Sequence, residues 1–249
     1  QLLPQGSIDS LTRLVLTNAI YFYADWLIPF PAESTSPGTF HAPGGELNVP
    51  MMANTTYLRY AAGPGYKALE LPYKGEAVSM VILLPDTGEL ETFESGLDAD
   101  GIETILGTFS REYVMVRLPR FEFENSLDLA GELSALGMPR AFTPQADFTG
   151  IAGGREPLFL KAVVHKAVVR VDEKGTEAAA ATGVIVGTTS IKPTPIPFVA
   201  NRPFVFLIRD NATGTILFIG RVTEPEAASV SQNGGGSREG KTPPEISLR

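Results

Sequence analysis

A stretch of small side chains between two strand-forming runs constrains this chain more than any other feature. It reads Glu173-Lys174-Gly175-Thr176-Glu177-Ala178-Ala179-Ala180-Ala181-Thr182-Gly183, then Val184-Ile185-Val186-Gly187-Thr188-Thr189-Ser190-Ile191-Lys192-Pro193. The flanking runs, Leu158–Asp172 and Phe198–Arg209, are apolar and β-branched and are predicted as strands. Three structures are open to the stretch itself. Four alanines after Thr-Glu suit a short helix capped by Thr176, because alanine is the best helix former. Gly175 and Gly183 confine that helix to about two turns, which is marginal in isolation. A flexible linker is the plain alternative. The third is a strand that forms only on occasion. With period two, Thr176, Ala178, Ala180, Thr182, Val184 and Val186 share one face, and that face is uncharged and small. Such a face can enter the middle of a packed sheet without a bulky group blocking it. When exposed, the same stretch is a protease substrate.

The rest of the chain is predicted to be rich in strands. After a polar connector through Ser10, Leu11–Tyr23 is expected to be a buried strand. Prolines and glycines between Pro29 and Gly45 mark an irregular loop. Strands follow near Asn48–Met52, Thr55–Ala61, Tyr66–Tyr73 and Ala77–Leu84, the last two joined by a turn at Lys74-Gly75-Glu76. Short helices are predicted at Glu89–Leu97 and Asp98–Phe109, and a strand at Tyr113–Glu124. A helix Ser126–Leu136 is predicted with Asn125 as its cap and Gly137 as its stop. A final strand, Thr215–Val222, follows the turn Asp210–Gly214. The segment after Pro225 is rich in Ser, Gly, Pro and charge, and is expected to be a disordered tail over 225–249.

Composition removes whole classes of function. The chain has 249 residues and a formal net charge of -8, with no run of Lys or Arg. It therefore lacks the electrostatic footprint of a nucleic-acid binder, a heparin binder or a partner of anionic membranes. No apolar stretch approaches the roughly 20 residues of a membrane-spanning helix. Cysteine is absent, which excludes disulfides and thiol chemistry. His41 and His165 are the only histidines and fall in no zinc-binding spacing; His41 is expected at the surface. No G-x-S-x-G turn and no phosphate loop occurs. No enzyme and no cofactor is expected. Asn54-Thr55-Thr56 and Asn211-Ala212-Thr213 match the glycosylation triplet, which matters only on a eukaryotic secretory route.

Several motifs, in order and spacing, resemble the serpins. They are KAVVHKAVVRVDEKG (161–175), the hinge EKGTEAAAATG (173–183), ANRPFVFLIRD (200–210) and FIGRV (218–222). LVLTNAIYF (14–22) with Trp26, VPMM (49–52), ALELPYKG (68–75) and MVILLPD (80–86) resemble earlier serpin segments. The resemblance covers roughly residues 1–224. It implies an α+β fold of large mixed β-sheets with few helices, the N-terminal helical third being absent from this chain. The start at Gln1 is accordingly expected to be a truncation, leaving the strand Leu11–Tyr23 at an edge and the chain poorly stable and not inhibitory alone.

The resemblance also implies a function. A serine protease attacks one bond of a loop spanning about 173–197, an acyl-enzyme forms, and the cut loop inserts into the central sheet before water can release it. Loop insertion of this kind is at once a strand addition and a conformational switch. The hinge would comprise Glu173, Gly175, Thr176, Glu177, Ala178, Ala179, Ala180, Ala181 and Thr182. Counting from Gly175 puts the reactive bond at Thr189-Ser190, and a small β-branched residue there suits elastase-like or subtilisin-like targets. Lys192 lies three residues late and precedes Pro193, which argues against trypsin-like ones. Asn18 and His165 fall where serpin strands hold together beneath the point of opening, and Trp26 where an aromatic packs above it. The implied partner is the target serine protease, bound covalently, with the complete protein monomeric and secreted. Bulky, charged or proline residues in the hinge would instead signal a non-inhibitory binding or chaperone-like member; the face Thr176–Val186 carries none.

Overall fold

A computed structural model describes residues 8, 9, 12–153, 158–176 and 193–225. The strands are β1 (Leu14–Tyr21), β2 (Ala24–Asp25), β3 (Ser36–Ala42), β4 (Gly45–Gly63), β5 (Tyr66–Pro72) and β6 (Val78–Pro85). Helices α1 (Leu90–Ser95) and α2 (Ala99–Gly107) precede β7 (Ser110–Pro119) and β8 (Phe121–Asp128). Helices α3 (Ala130–Ala135) and α4 (Thr149–Ala152) lead to β9 (Leu160–Val171) and β10 (Gly175–Thr176). The described chain closes with β11 (Ile196–Val199), β12 (Phe204–Asp210) and β13 (Ile216–Val222).

The larger sheet has eight strands, ordered β11-β7-β4-β5-β6-β12-β13, with β3 beside β4. Its inner strand β6, VSMVILLP, is apolar at every position but Ser79 because both faces are covered. Met80, Ile82 and Leu84 enter the main core, while Val81 and Leu83 meet Ile102 and Ile105 of α2 on the other face. Asp98 starts that helix by accepting a hydrogen bond from Gly101 N at 2.8 Å. The smaller sheet is ordered β1-β9-β8 and lies over the main core. Phe121 and Phe123 of β8 reach Phe206 of β12, with ring centroids 5.4 and 5.9 Å apart. Parallel pairs (β1 with β9, β7 with β11) and antiparallel pairs coexist, so both sheets are mixed.

Several expectations need correction. Leu11–Tyr23 is a strand from Leu14 to Tyr21, but an exposed one: Leu16 and Tyr21 are each 53% exposed. Among the described residues β9 is its only strand neighbour, and nothing covers its outer face. The helix capped by Asn125 does not begin there. Asn125 lies inside β8 opposite Ala167, because pairing with β9 carries the strand through Asp128, and α3 starts at Ala130. Gly137, with φ 105°, does stop it, as Met138 N donates to Leu133 O. The two strands predicted across 48–61 are one, β4, which continues through Asn54 by pairing with β7. Phe198–Arg209 is instead two strands, β11 and β12, interrupted around Asn201-Arg202-Pro203. The loop 29–45 also contains β3, an edge strand in which Pro37 withholds no needed donor from the ladder.

Candidate functional site

The residues that link the two sheets at the end of β9 form the candidate site. Beyond Val171 the chain turns back on itself. Asp172 Oδ1 accepts from Lys174 N at 2.9 Å, and Asp172 N donates to Gly175 O at 3.0 Å. Gly175 and Thr176 then pair antiparallel with Asp25 and Ala24 of β2, which follows β1. Gly175 is therefore bonded on both sides, to Asp172 beyond the end of β9 and to the continuation of β1, while Thr176 pairs with Ala24 of β2.

Only glycine fits this turn. Its φ is 157°, and a Cβ at Gly175 would collide with the Ala24 carbonyl and lie 2.7 Å from Asp25 Cα. Thr176 is fully buried, and its hydroxyl lies 2.9 Å from Tyr73 Oη. Tyr73 ends the hairpin segment after β5, is itself buried, and stacks on Trp26 with centroids 4.5 Å apart and planes 11° from parallel. Trp26 Nε1 donates to Asp172 O at 3.0 Å, so one indole ties β2 to the turn. Burial pushes the Tyr73 phenol well above its ordinary pKa, and the Thr176 contact offsets only part of that.

Glu173 anchors the other side. It is 7% exposed and takes hydrogen bonds from Arg120 Nε at 2.8 and 3.0 Å, with Thr35 Oγ1 donating to the same carboxylate. Its carbonyl accepts from Phe30 N at 2.8 Å. Burial pushes the carboxyl up in pKa, but the Arg120 and Thr35 hydrogen bonds together prevail and hold it below the usual carboxylate range. A buried carboxylate with charge-assisted partners fixes the turn in place.

Lower in the small sheet, Asn18 stands opposite His165 in the parallel register of β1 and β9. Asn18 is exposed and His165 half-buried, and His165 lines an apolar cavity of about 210 Å³ with Ile20, Phe123 and Phe206. Among the described residues no side-chain hydrogen bond joins Asn18 to His165. His41 is half exposed, 3.4 Å from Glu46, as expected of a surface residue. Both glycosylation-triplet asparagines are occupied: Asn54 Nδ2 donates to Pro29 O and Asn211 Nδ2 to Glu76 O. Of the sequence-predicted site, the structure brings Glu173, Gly175, Thr176 and Trp26 together, with Asn18 and His165 below. Glu177, Ala178, Ala179, Ala180, Ala181, Thr182, Thr189 and Ser190 lie outside the described residues. Tyr73, Arg120, Thr35 and Asp172 had drawn no attention in the sequence. Two carried a signal, Tyr73 as the aromatic within ALELPYKG and Asp172 as a member of KAVVHKAVVRVDEKG.

Comparison with known proteins agrees with this geometry. A family model described as Serpin (serine protease inhibitor) matches residues 1–225. An uncharacterized serpin-like protein of Thermococcus kodakarensis is 47% identical over 89% of this chain and 52% of its own length. Plasminogen activator inhibitor 1 of Sus scrofa is 41% identical over 90% of this chain and 57% of its own. The crystal structure of Serpin48 from Tenebrio molitor superposes with a TM-score of 0.79 at 35% identity, covering 90% of this chain and 60% of that one. The chain thus spans between about half and three-fifths of the length of the proteins it matches.

Proposed function

The chain belongs to the serpin family, and from that membership we propose that it carries the bait loop and the receiving strands of a serine protease inhibitor. One observation supports this most. Gly175–Thr176 already forms the first step of a strand directed back along β9, paired antiparallel with β2, with Gly175 also bonded to Asp172 beyond the end of β9. Residues that continue in that direction descend between β1 and β9. To admit them, the parallel ladder that sets Asn18 against His165 has to part. With Thr176 facing inward, period two turns Ala178, Ala180 and Thr182 to the same buried side and Glu177 to solvent.

The chemistry is that of an interrupted protease cycle. The protease serine adds to the Thr189 carbonyl, the peptide nitrogen of Ser190 leaves as an amine, and an ester joins Thr189 to the enzyme. Insertion from Thr176 to Thr189 moves that ester by some 45 Å, at roughly 3.3 Å for each of about fourteen residues. A dozen or so new ladder bonds at roughly 0.5–1.5 kcal/mol net each supply on the order of 10 kcal/mol. Elastase-like or subtilisin-like proteases are the proposed targets, and secretion the proposed setting.

The test combines the gene product containing this chain with a pancreatic elastase. The expected products are a complex that survives denaturing electrophoresis, a new amino terminus at Ser190, and a large rise in melting temperature after loop nicking. Cleavage elsewhere without a stable complex would refute the reactive bond. A nicked loop that leaves the melting temperature unchanged would refute insertion and favour a binding or carrier role.

A further inference from the structure

On the face of the larger sheet covered in part by α2 lies a cavity of about 520 Å³ that the inhibitory reading leaves unused. Its size falls in the range of small-molecule sites, about 300–1,000 Å³. Leu27, Ile28 and Tyr57 form apolar wall, and Arg59, Arg111 and Arg209 bring guanidinium groups to it. The three cations are not equivalent. Arg59 is paired with Glu70, Nη1 to Oε2 at 2.8 Å, and the buried Glu70 carboxylate also accepts from Ser79 Oγ at 2.7 Å. That charge is spent. Arg111 stacks over the Tyr57 ring, 5.6 Å from its centroid. The Nε of Arg209 is fully buried, yet has no hydrogen-bond partner among the described residues.

The remaining carboxylate on the rim does not neutralise them. Glu76 sits in the exposed turn after Tyr73 with φ 57°, its peptide carbonyl held by Asn211 Nδ2 at 2.8 Å. Among the described residues it forms no ion pair with Arg111 or Arg209. Three arginines against two glutamates leave this cavity cationic in a chain whose net charge is -8. A buried donor without an acceptor is costly, and a planar guanidinium matches a carboxylate in geometry. We propose that this cavity binds a small amphipathic organic anion, an aromatic or branched aliphatic carboxylate or sulfonate. Its charged group meets Arg209 and Arg111, and its body lies against Leu27, Ile28 and Tyr57.

The test titrates the full chain with 2-naphthoate by calorimetry, with 2-naphthylmethylammonium and naphthalene as charge controls. The general surface of an acidic protein repels anions, so saturable one-to-one uptake of naphthoate reports a specific site. Loss of the charge-assisted contact in Arg209→Met should weaken binding about tenfold or more. Arg111→Met, at an exposed position, should weaken it in the same direction, and serves if Arg209→Met does not fold. Leu27→Trp fills the cavity with every arginine in place and should abolish uptake. The inference is overturned if naphthoate does not bind, if the cationic or neutral analogue binds as well, or if Arg111→Met and Leu27→Trp leave the affinity unchanged.

Discussion

The two sheets are built from the same kinds of residue and differ in what covers them. In the larger sheet, β6 is buried along nearly its whole length between the main core and α2. In the smaller sheet, β1 carries comparable apolar residues, yet six of its eight residues are exposed. Among the described residues the larger sheet is covered on both faces at β6, while the smaller one is secured on one face and, at β1, on one edge. Burial of apolar surface, at roughly 25 cal/mol per Å², dominates the first. The hold of β1 on β9 rests chiefly on ladder bonds, each worth roughly 0.5–1.5 kcal/mol net. A strand held in that way can be parted from its neighbour far more cheaply than one packed on both faces.

Mutation can break this contrast directly. Ile82→Ala, at a fully buried position of β6, is expected to lower stability by about 2–5 kcal/mol in chemical denaturation. Leu16→Ala in β1 should stay within about 0.5 kcal/mol. Equal losses would mean that β1 is covered in solution. The next largest effect is expected at the joint between the sheets. Gly175→Ala forces a Cβ against the Ala24 backbone, and should cost about 1–3 kcal/mol while releasing Thr176 from β2. Loss of amide-exchange protection at Thr176, with β6 unaffected, would separate a local from a global effect.

Glu173→Gln follows, at about 1–2 kcal/mol, because the partner Arg120 is half exposed and its contribution is partly screened. Its pH signature has a definite sign. The folded carboxyl titrates below its free value of 4.5. The pair therefore contributes fully above that value and loses its contribution as pH falls through the lower folded one. Melting temperatures should drop on acidification below about pH 4.5 more steeply in the parent than in Glu173→Gln. Parallel curves would remove Glu173 as an anchor of the turn.

Much of this organisation was legible in the residues themselves, in a way that follows the same contrast. The hairpin at Lys74–Glu76, α1, α2, β9 and β13 announced themselves by local pattern, because period and turn chemistry are local quantities. The pairing of β1 with β9, far apart in sequence, came from motif resemblance, and hydrophobicity alone would not have found it. What escaped was set by partners. Asn125 is a good cap by type and a strand residue by circumstance, because β9 offers a ladder that the helix end does not. The exposure of β1 was hidden from hydrophobic pattern, because an apolar sequence records that a strand expects cover without saying which chain segment provides it; only the family resemblance pointed to an open edge there. Arg120 and Thr35 converge on Glu173 from distant positions, and no spacing rule reports that convergence.

The smallest effect expected at the joint tests it most finely. Tyr73→Phe keeps the ring that stacks on Trp26 and removes only the hydroxyl that meets Thr176. Burial of the phenol without that partner would be unfavourable, so the hydroxyl is tolerated there because Thr176 stands opposite it. Removing it should cost about 0.5–1.5 kcal/mol, since Thr176 Oγ1 then loses its partner inside a closed pocket. The loss should vanish when Thr176→Val accompanies it, because both polar atoms are then gone and the shape is kept. A double-mutant cycle measures that coupling. Coupling near zero would mean that Thr176 is free of Tyr73 in solution, and that the first step of the returning strand is not held by the aromatic pair above β1.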